Sequence, residues 1–321
     1  MCNGKKLVVV TAATGSQGFP VAKYLLSTNL YYVRAVTRKS DSPQAEQLKD
    51  LGAEVVIGDY DVPSTLRAAV SGAEAVFCNT TFWDHASLDG EVSQGLAVAK
   101  AASEERSVKN FIYSYLADPE KILGGKYQEN KIYKAKIVTM QKIQLQFPEL
   151  YKITTRLTVG YYHDNWLKYN LFLGPVKRED GVFEMAMPYP STSSFPMVSP
   201  GDVGVVIAAI LDSGDKYYGK WISVISEHLT DDEKLIPWTK ALGIQAEFKQ
   251  ISAEEYQQRL EDGGYPEHLA LCLTHLCLTV GSGVNYFEED GIVKAREIVD
   301  PAYKFKTWKE YVAETDWSSI L

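Results

Sequence analysis

Five short apolar runs, at residues 5–11, 31–37, 53–57, 73–78 and 110–114, punctuate the first third of the chain. Amphipathic stretches separate them, at a spacing of roughly 20–25 residues. The first run carries Val8, Val9 and Val10 in succession, so both of its faces are apolar. That is the signature of a strand covered by helices on both sides of a parallel sheet. Between the runs, Val21, Ala22, Leu25 and Leu26 recur at helical spacing. A second helix is expected over 41–51, opened by Ser40 or Ser42 beside Pro43 and stopped by Gly52. Helices are also expected over 62–70 and 87–104. Alternation of this kind predicts an α/β fold with a doubly wound parallel sheet of the Rossmann class.

Beyond residue 157 the regularity weakens. Residues 175–200 hold Pro175, Pro188, Pro190, Pro196 and Pro200 and read as long loops. After them come a helix capped by Ser199 or Asp202, a strand over 221–225 and a capped helix ending at Gly243. A length of 321 residues suits about two domains. We therefore expect a nucleotide-binding unit over 1–157 and a smaller mixed α/β lobe over 158–321, interleaved with the Rossmann sheet. The lobe would serve a substrate or a partner.

The charge balance, 33 Lys+Arg against 41 Asp+Glu, excludes a basic nucleic-acid-binding surface. With 45% hydrophobic and 23% charged residues, the chain is neither disordered nor fibrous. Cys2, Cys78, Cys272 and Cys277 are too sparse for a disulfide framework and suit a reducing compartment. The lysine-led apolar run at the N-terminus reads as a strand rather than a signal peptide, because Thr11 and a glycine-rich turn follow it directly. No apolar stretch is long enough for a transmembrane helix. Cytosol or nucleus is the expected location, with no membrane partner and no direct nucleic-acid partner.

The strongest motif joins the first strand to the first helix: Ala12-Ala13-Thr14-Gly15-Ser16-Gln17-Gly18. A helix N-terminus offers unpaired N–H groups and a partial positive charge to an anion. Gly15 lets a pyrophosphate approach the backbone, and Gly18 lets the helix pack on the sheet. Ala12 occupies the place where the tight turn normally takes glycine, so strain or an altered turn is expected there. Arg38, followed by Lys39, closes the second strand about 23 residues beyond Gly15. A carboxylate there would select NAD; an arginine pairs with the 2′-phosphate of NADP. Asp59 lies where an adenine ring would rest. Asn79, Thr80 and Thr81 end the fourth strand, beside the phosphates and the nicotinamide ribose.

These residues, AATGSQG, TRK and GAEVVIGDYDVPSTLRAAVSGAEAVF, resemble the NmrA-like family of atypical short-chain dehydrogenases. The resemblance continues through EVSQG at 91–95, RLTVGYYHDNW at 156–166, VSPGDVG at 198–204 and the C-terminal WKEYVAE and DWSSIL. Ala12 is a departure from the family's usual glycine. The resemblance implies an NADP-binding protein. It points first to a redox or cofactor sensor acting through a protein partner such as a transcription factor, self-association being possible. Its enzyme relatives imply the other possibility, an NADPH-dependent reductase of a small carbonyl substrate.

Short-chain reductases carry Tyr-x-x-x-Lys on one helix, where the lysine lowers the phenol's pKa for proton transfer. Tyr127 and Lys131 match that spacing literally, but they follow Gly124-Gly125 at the start of a helix. Lys134, in YKAKIVTM, fits the family helix better, and then Asn130 stands where the tyrosine would be. The first register predicts a reductase and the second a cofactor binder without the acid. Tyr133 has Ile137 four residues on, and Tyr115 ends the fifth strand near the expected nicotinamide. His268, Cys272, His275 and Cys277 share a helix but sit in an apolar segment, so core packing is expected rather than a metal. Asp231-Asp232-Glu233 reads as the acidic first turn of a helix, and Glu288-Glu289-Asp290 as a solvated run. His85, in Trp83-Asp84-His85, is expected in a loop.

Overall fold

Each apolar run becomes a strand of one parallel sheet. The computed structural model describes residues 4–118, 121, 123–287 and 289–321, which leaves Cys2 and Glu288 outside the described residues. The runs form β1 (Lys6–Val10), β2 (Tyr31–Thr37), β3 (Glu54–Ile57), β4 (Ala75–Cys78) and β5 (Asn110–Ser114). Later strands are β6 (Thr154–Val159), β7 (Tyr161–Tyr162), β8 (Val176–Lys177), β9 (Phe183–Met187) and β10 (Ser194–Val198). They are followed by β11 (Trp221–Val224), β12 (Glu227–Thr230), β13 (Ala246–Gln250) and β14 (Ile292–Lys294). The helices that shape the site are α1 (Gly18–Ser27), α2 (Pro43–Asp50), α3 (Pro63–Val70), α4 (Leu88–Glu104) and α5 (Lys131–Gln146).

Among the described residues eight strands form the main sheet, in the order β14-β11-β6-β5-β4-β1-β2-β3. All its pairings are parallel. From β1 the chain winds outward through β2 and β3; from β4 it winds the other way. The carboxyl ends of β1 and β4 therefore flank the crevice where strand order reverses, the place where doubly wound folds bind ligands. A cut at residue 157 passes through β6, and β11 and β14 extend the same sheet. Two three-stranded sheets, β12-β10-β7 and β13-β9-β8, build the second lobe over the crevice.

Helix ends follow local chemistry. Ser42 accepts from the Ala45 N–H and Pro43 follows it, so α2 starts as expected. Thr230 and Glu233 close a capping box on the helix Asp231–Leu242, and Gly243 ends it in the left-handed conformation. The helix Asp202–Asp212 differs from expectation: neither Ser199 nor Asp202 caps it. The buried Asp202 carboxylate instead accepts from the Tyr303 hydroxyl at 2.6 Å and the Lys306 N–H at 3.0 Å. A carboxylate taken out of water goes to the donors that most fully replace its hydration.

Candidate functional site

A cavity of about 740 Å³ opens at the crevice. The phosphate turn, the ends of β4 and β5, one face of α5 and the second lobe enclose it. The turn is built as the sequence suggests. Thr11 Oγ1 donates to the Asn79 carbonyl at 2.8 Å and accepts the Asn79 N–H at 2.9 Å, stitching the ends of β1 and β4 together. Ala12 then turns the chain with φ of 47°, a conformation that costs an L-residue roughly 1–2 kcal/mol. The strain expected of Ala12 is present. Gly18 has no room for a side chain: a Cβ there would lie 2.3 Å from the Ala12 carbonyl oxygen. Thr14 and Thr37 hydroxyls meet at 3.2 Å and join the turn to β2.

Of the expected cofactor residues, Ala12, Gly15, Ser16, Gln17, Asn79, Thr80 and Thr81 line the cavity. Thr14, Gly18, Arg38, Lys39 and Asp59 do not. Thr14 and Gly18 shape the turn from behind. Arg38 is half-exposed at the end of β2 and pairs with Asp84 at 2.7 Å. Gln94 donates to the other Asp84 oxygen at 3.3 Å and accepts from the Thr81 N–H at 2.8 Å. A polar chain thus runs from Arg38 to the cavity wall. Lys39 is exposed beside Arg38. Asp59 spends its carboxylate on the Asp61 N–H at 2.9 Å.

The lysine of the site is Lys136. It is 6% exposed, and its Nζ contacts Thr80 Oγ1 at 2.5 Å and Glu91 Oε1 at 2.9 Å. Thr80 Oγ1 also bonds Glu91 Oε1 at 2.6 Å, closing a triangle. Gly95, one turn beyond Glu91, makes this possible. A Cβ there would press 2.5 Å into the Thr139 methyl, one turn beyond Lys136. Without it α4 approaches α5 closely enough for Glu91 to reach Lys136.

Lys134, Tyr127 and Lys131 do not line the cavity. Tyr127 precedes α5 with φ of 56° and packs its ring edge-on to His275, so the one-turn geometry of Tyr-x-x-x-Lys does not arise. Lys131 pairs with Glu129 at 3.1 Å. Lys134 is two residues, about 200° of helix, away from the face that Lys136 presents. Asn130 is the buried N-cap of α5, accepting from the Tyr133 N–H at 3.2 Å. Tyr133 lies one turn before Lys136, lines the cavity, and shares a hydrogen bond with Tyr286 across it. Burial pushes the Tyr133 phenol up to about 12, so it is neutral at ordinary pH. Four residues before Lys136 stands Ile132.

The remaining wall is aromatic. Trp83 stacks on Tyr169 with centroids 5.5 Å apart, and Tyr286 stacks on Phe287 at 4.6 Å. Tyr115 lines the cavity, while His85 points elsewhere and meets Asp61 at 3.2 Å. Three polar atoms in the wall are buried without a hydrogen-bond partner: Gln17 Nε2, Glu91 Oε2 and His228 Nε2. The other end of Gln17 accepts from the Ser114 hydroxyl at 2.9 Å. Among the described residues no group of His, Cys, Asp and Glu is arranged to hold a metal. Cys272 and Cys277 are buried in the helix Glu267–Val280. Nor is any described helix long and apolar enough to cross a membrane.

The sequence model of the NmrA-like family matches residues 4–312. The chain belongs to the NmrA-like family. An NmrA-like oxidoreductase of an Aspergillus species, notA, is 39% identical over 127 residues, 38% of this chain and 38% of that protein. The matches to it and to the next two fungal oxidoreductases span little more than a third of their lengths. An NmrA-like protein of Dictyostelium discoideum is 23% identical over 97% of this chain and 98% of its own. Among solved structures, NmrA, a negative transcriptional regulator, in complex with NADP superposes with a TM-score of 0.76. That likeness has 20% identity and covers 97% of this chain and 95% of the other. Leucoanthocyanidin reductase with NADPH, from Vitis vinifera, gives 0.71 at 17% identity over 96% and 98%. At such identities they establish the NmrA fold.

Three site residues escaped the sequence reading. Lys136 and Glu91 sit on buried helix faces whose other members are uncharged, the one local sign that their charges are paired indoors. Lys168, in the short helix Asn165–Lys168, donates to Ser16 Oγ at 2.8 Å across the mouth of the cavity, a contact no local pattern announces.

Proposed function

We propose that this NmrA-like chain is an NADP(H)-dependent reductase of an apolar substrate of aromatic dimensions that bears one reducible polar group. The observation that carries the reading is Lys136, a buried ammonium held by Glu91 and Thr80 at the wall of a large aromatic cavity beside the phosphate turn. The residues fit the cofactor. The Gly15–Gly18 turn cradles a pyrophosphate, and the unpartnered Gln17 Nε2 and Glu91 Oε2 offer a donor and an acceptor in the same wall. Arg38 supplies a partner for a 2′-phosphate. Bound NADPH supplies a hydride. The chain's own part is to bind, orient and stabilise charge. Lys136, fixed by two contacts, presents positive charge where negative charge develops on the substrate oxygen. The neutral Tyr133 hydroxyl is a proton donor on the same face of α5. The aromatic walls keep water out, which strengthens both effects. Relatives named oxidoreductases, and fold neighbours solved with NADP or NADPH, support the reading.

One observation favours a second reading: Ile132, not a phenol, precedes Lys136 by four residues. On that reading the chain is a cofactor sensor in the cytosol or nucleus. It would act through a partner such as a transcription factor or a second copy of itself, by binding NADP with different affinity in two states. One experiment separates them. NADPH oxidation is followed with a panel of aromatic aldehydes, enones and quinones, for wild type and for the double variant Lys136→Met, Glu91→Gln, which leaves no buried charge unpaired. The reductase reading expects turnover by wild type and a fall in kcat of about 100-fold or more in the variant. NADPH binding with no turnover on any substrate would sink it.

A further inference from the structure

The phosphate turn is short of positive charge from its own neighbourhood. The N-terminus of α1 contributes about half an elementary charge. Among the described residues that line the cavity, Lys136 is the one lysine or arginine, and it is buried against Glu91 on α4 and Thr80 just beyond β4 rather than placed on the turn. Arg38 is held at the end of β2 by Asp84. Yet a cation reaches the turn from the far side. Lys168 belongs to the second lobe, and its Nζ donates to Ser16 Oγ at 2.8 Å and pairs with Asp164 Oδ2 at 2.5 Å. Ser16 lies in the cavity wall, and the Lys168 side chain is 41% exposed, so it meets the turn at the solvent edge. An ammonium has three N–H donors. Two are engaged here, and the third is left for an anion on the turn.

We propose that Lys168 is the cation that takes the pyrophosphate of the bound dinucleotide, reaching across from the second lobe while Asp164 holds it in place. The proposal rests on the dinucleotide-binding part of the function proposed above. Lys168 then acts on a group common to all four nicotinamide dinucleotides, whereas Arg38 acts on the 2′-phosphate alone. It also ties the lobes together through the ligand. Two residues before it, Trp166 is fully buried in the core of the second lobe.

The test is calorimetric titration of the full chain with NADPH and with NADH at two salt concentrations, in wild type, Lys168→Ala, Lys168→Arg, Asp164→Asn and Arg38→Ala. Lys168→Ala should raise both dissociation constants by about tenfold and flatten their salt dependence, since a charge-assisted bond to phosphate is lost. Lys168→Arg should keep binding within a few-fold. Asp164→Asn removes the carboxylate that holds Lys168 over the turn and should weaken both nucleotides, by less than Lys168→Ala does. Arg38→Ala should weaken NADPH alone. Circular dichroism and thermal melts of each variant establish that it is folded; if Lys168→Ala is not, the salt dependence and Asp164→Asn carry the test. Unchanged dissociation constants in Lys168→Ala overturn the proposal, as does a loss confined to NADPH. Wild type that binds no dinucleotide would instead overturn the cofactor reading beneath it.

Discussion

Two of the molecule's cores are made of different material. Around β1, α1 and the helix Asp202–Asp212 the core is aliphatic: Val8, Val10, Leu25, Val206 and Ile207 are almost wholly buried. The second lobe is held by tryptophans. Trp166, Trp238, Trp317 and Trp308 form a closed ring of edge-to-face contacts, with centroids 4.9 to 5.9 Å apart. The aliphatic core comes from regular elements whose spacing already sets which faces meet. The tryptophans come from three separate stretches of chain, around 166, 238 and 308–317, and nothing local brings those three together. A parallel sheet needs branched residues on both faces, repeated strand by strand. A lobe of short strands and irregular connections buries its area in a few large rings instead. The cavity lies where the two meet, so its floor is polar and comes from the sheet ends, while its walls are aromatic.

The sharpest way to break this contrast is to remove one ring. Trp238→Ala should cost about 3–5 kcal/mol, read by urea denaturation at equilibrium. Ile207→Val in the aliphatic core should cost only about 0.5–1.5 kcal/mol. Because β6, β11 and β14 bind the second half of the chain into the main sheet, one cooperative transition is expected in both variants. A separate early transition in Trp238→Ala would make the lobes independent and the comparison false.

Acid should strike the aromatic core next. His163 is fully buried against Trp308 and Tyr311, and neither ring nitrogen has a hydrogen-bond partner. Burial lowers its pKa to about 3, helped by Lys306 and Lys234; the Glu227 carboxylate at 4.0 Å does not offset this. The unfolded chain takes up the proton near pH 6.5 and the folded chain does not. Stability is therefore full above pH 6.5 and falls as pH drops towards 3, by a few kcal/mol in total. His163→Phe should flatten the fall; thermal melts from pH 7 to 4 measure it, and identical slopes in both proteins would refute the assignment.

Smaller effects probe single turns. Thr230→Ala removes the capping box of the helix that carries Trp238 and should cost about 1 kcal/mol in the same denaturation experiment. Ala12→Gly relieves a left-handed residue at the other core and should raise stability by at most about 1 kcal/mol. A loss of stability there would show that the turn is not strained.

Much of this molecule was legible in the chain itself. The alternation of runs announced β1 to β5 in their parallel order. AATGSQG marked the turn at the sheet's switch point, and Ala12 marked the strain in it. These are local matters: strand period, helix caps and a steric limit on φ act within a few residues, so composition and spacing decide them. Which lysine faces the cavity was not local. Lys131, Lys134 and Lys136 differ by two or three residues on one helix, and the rotation of that helix was chosen by its packing on α4 through Gly95 and Thr139. Likewise Glu91 became the partner of Lys136, and Lys168 the neighbour of Ser16, only once distant segments were brought to the same crevice. Charge pairing across such separations has no period in the sequence. It is set by the depth at which each element buries its face, and that depth is a property of the packed whole.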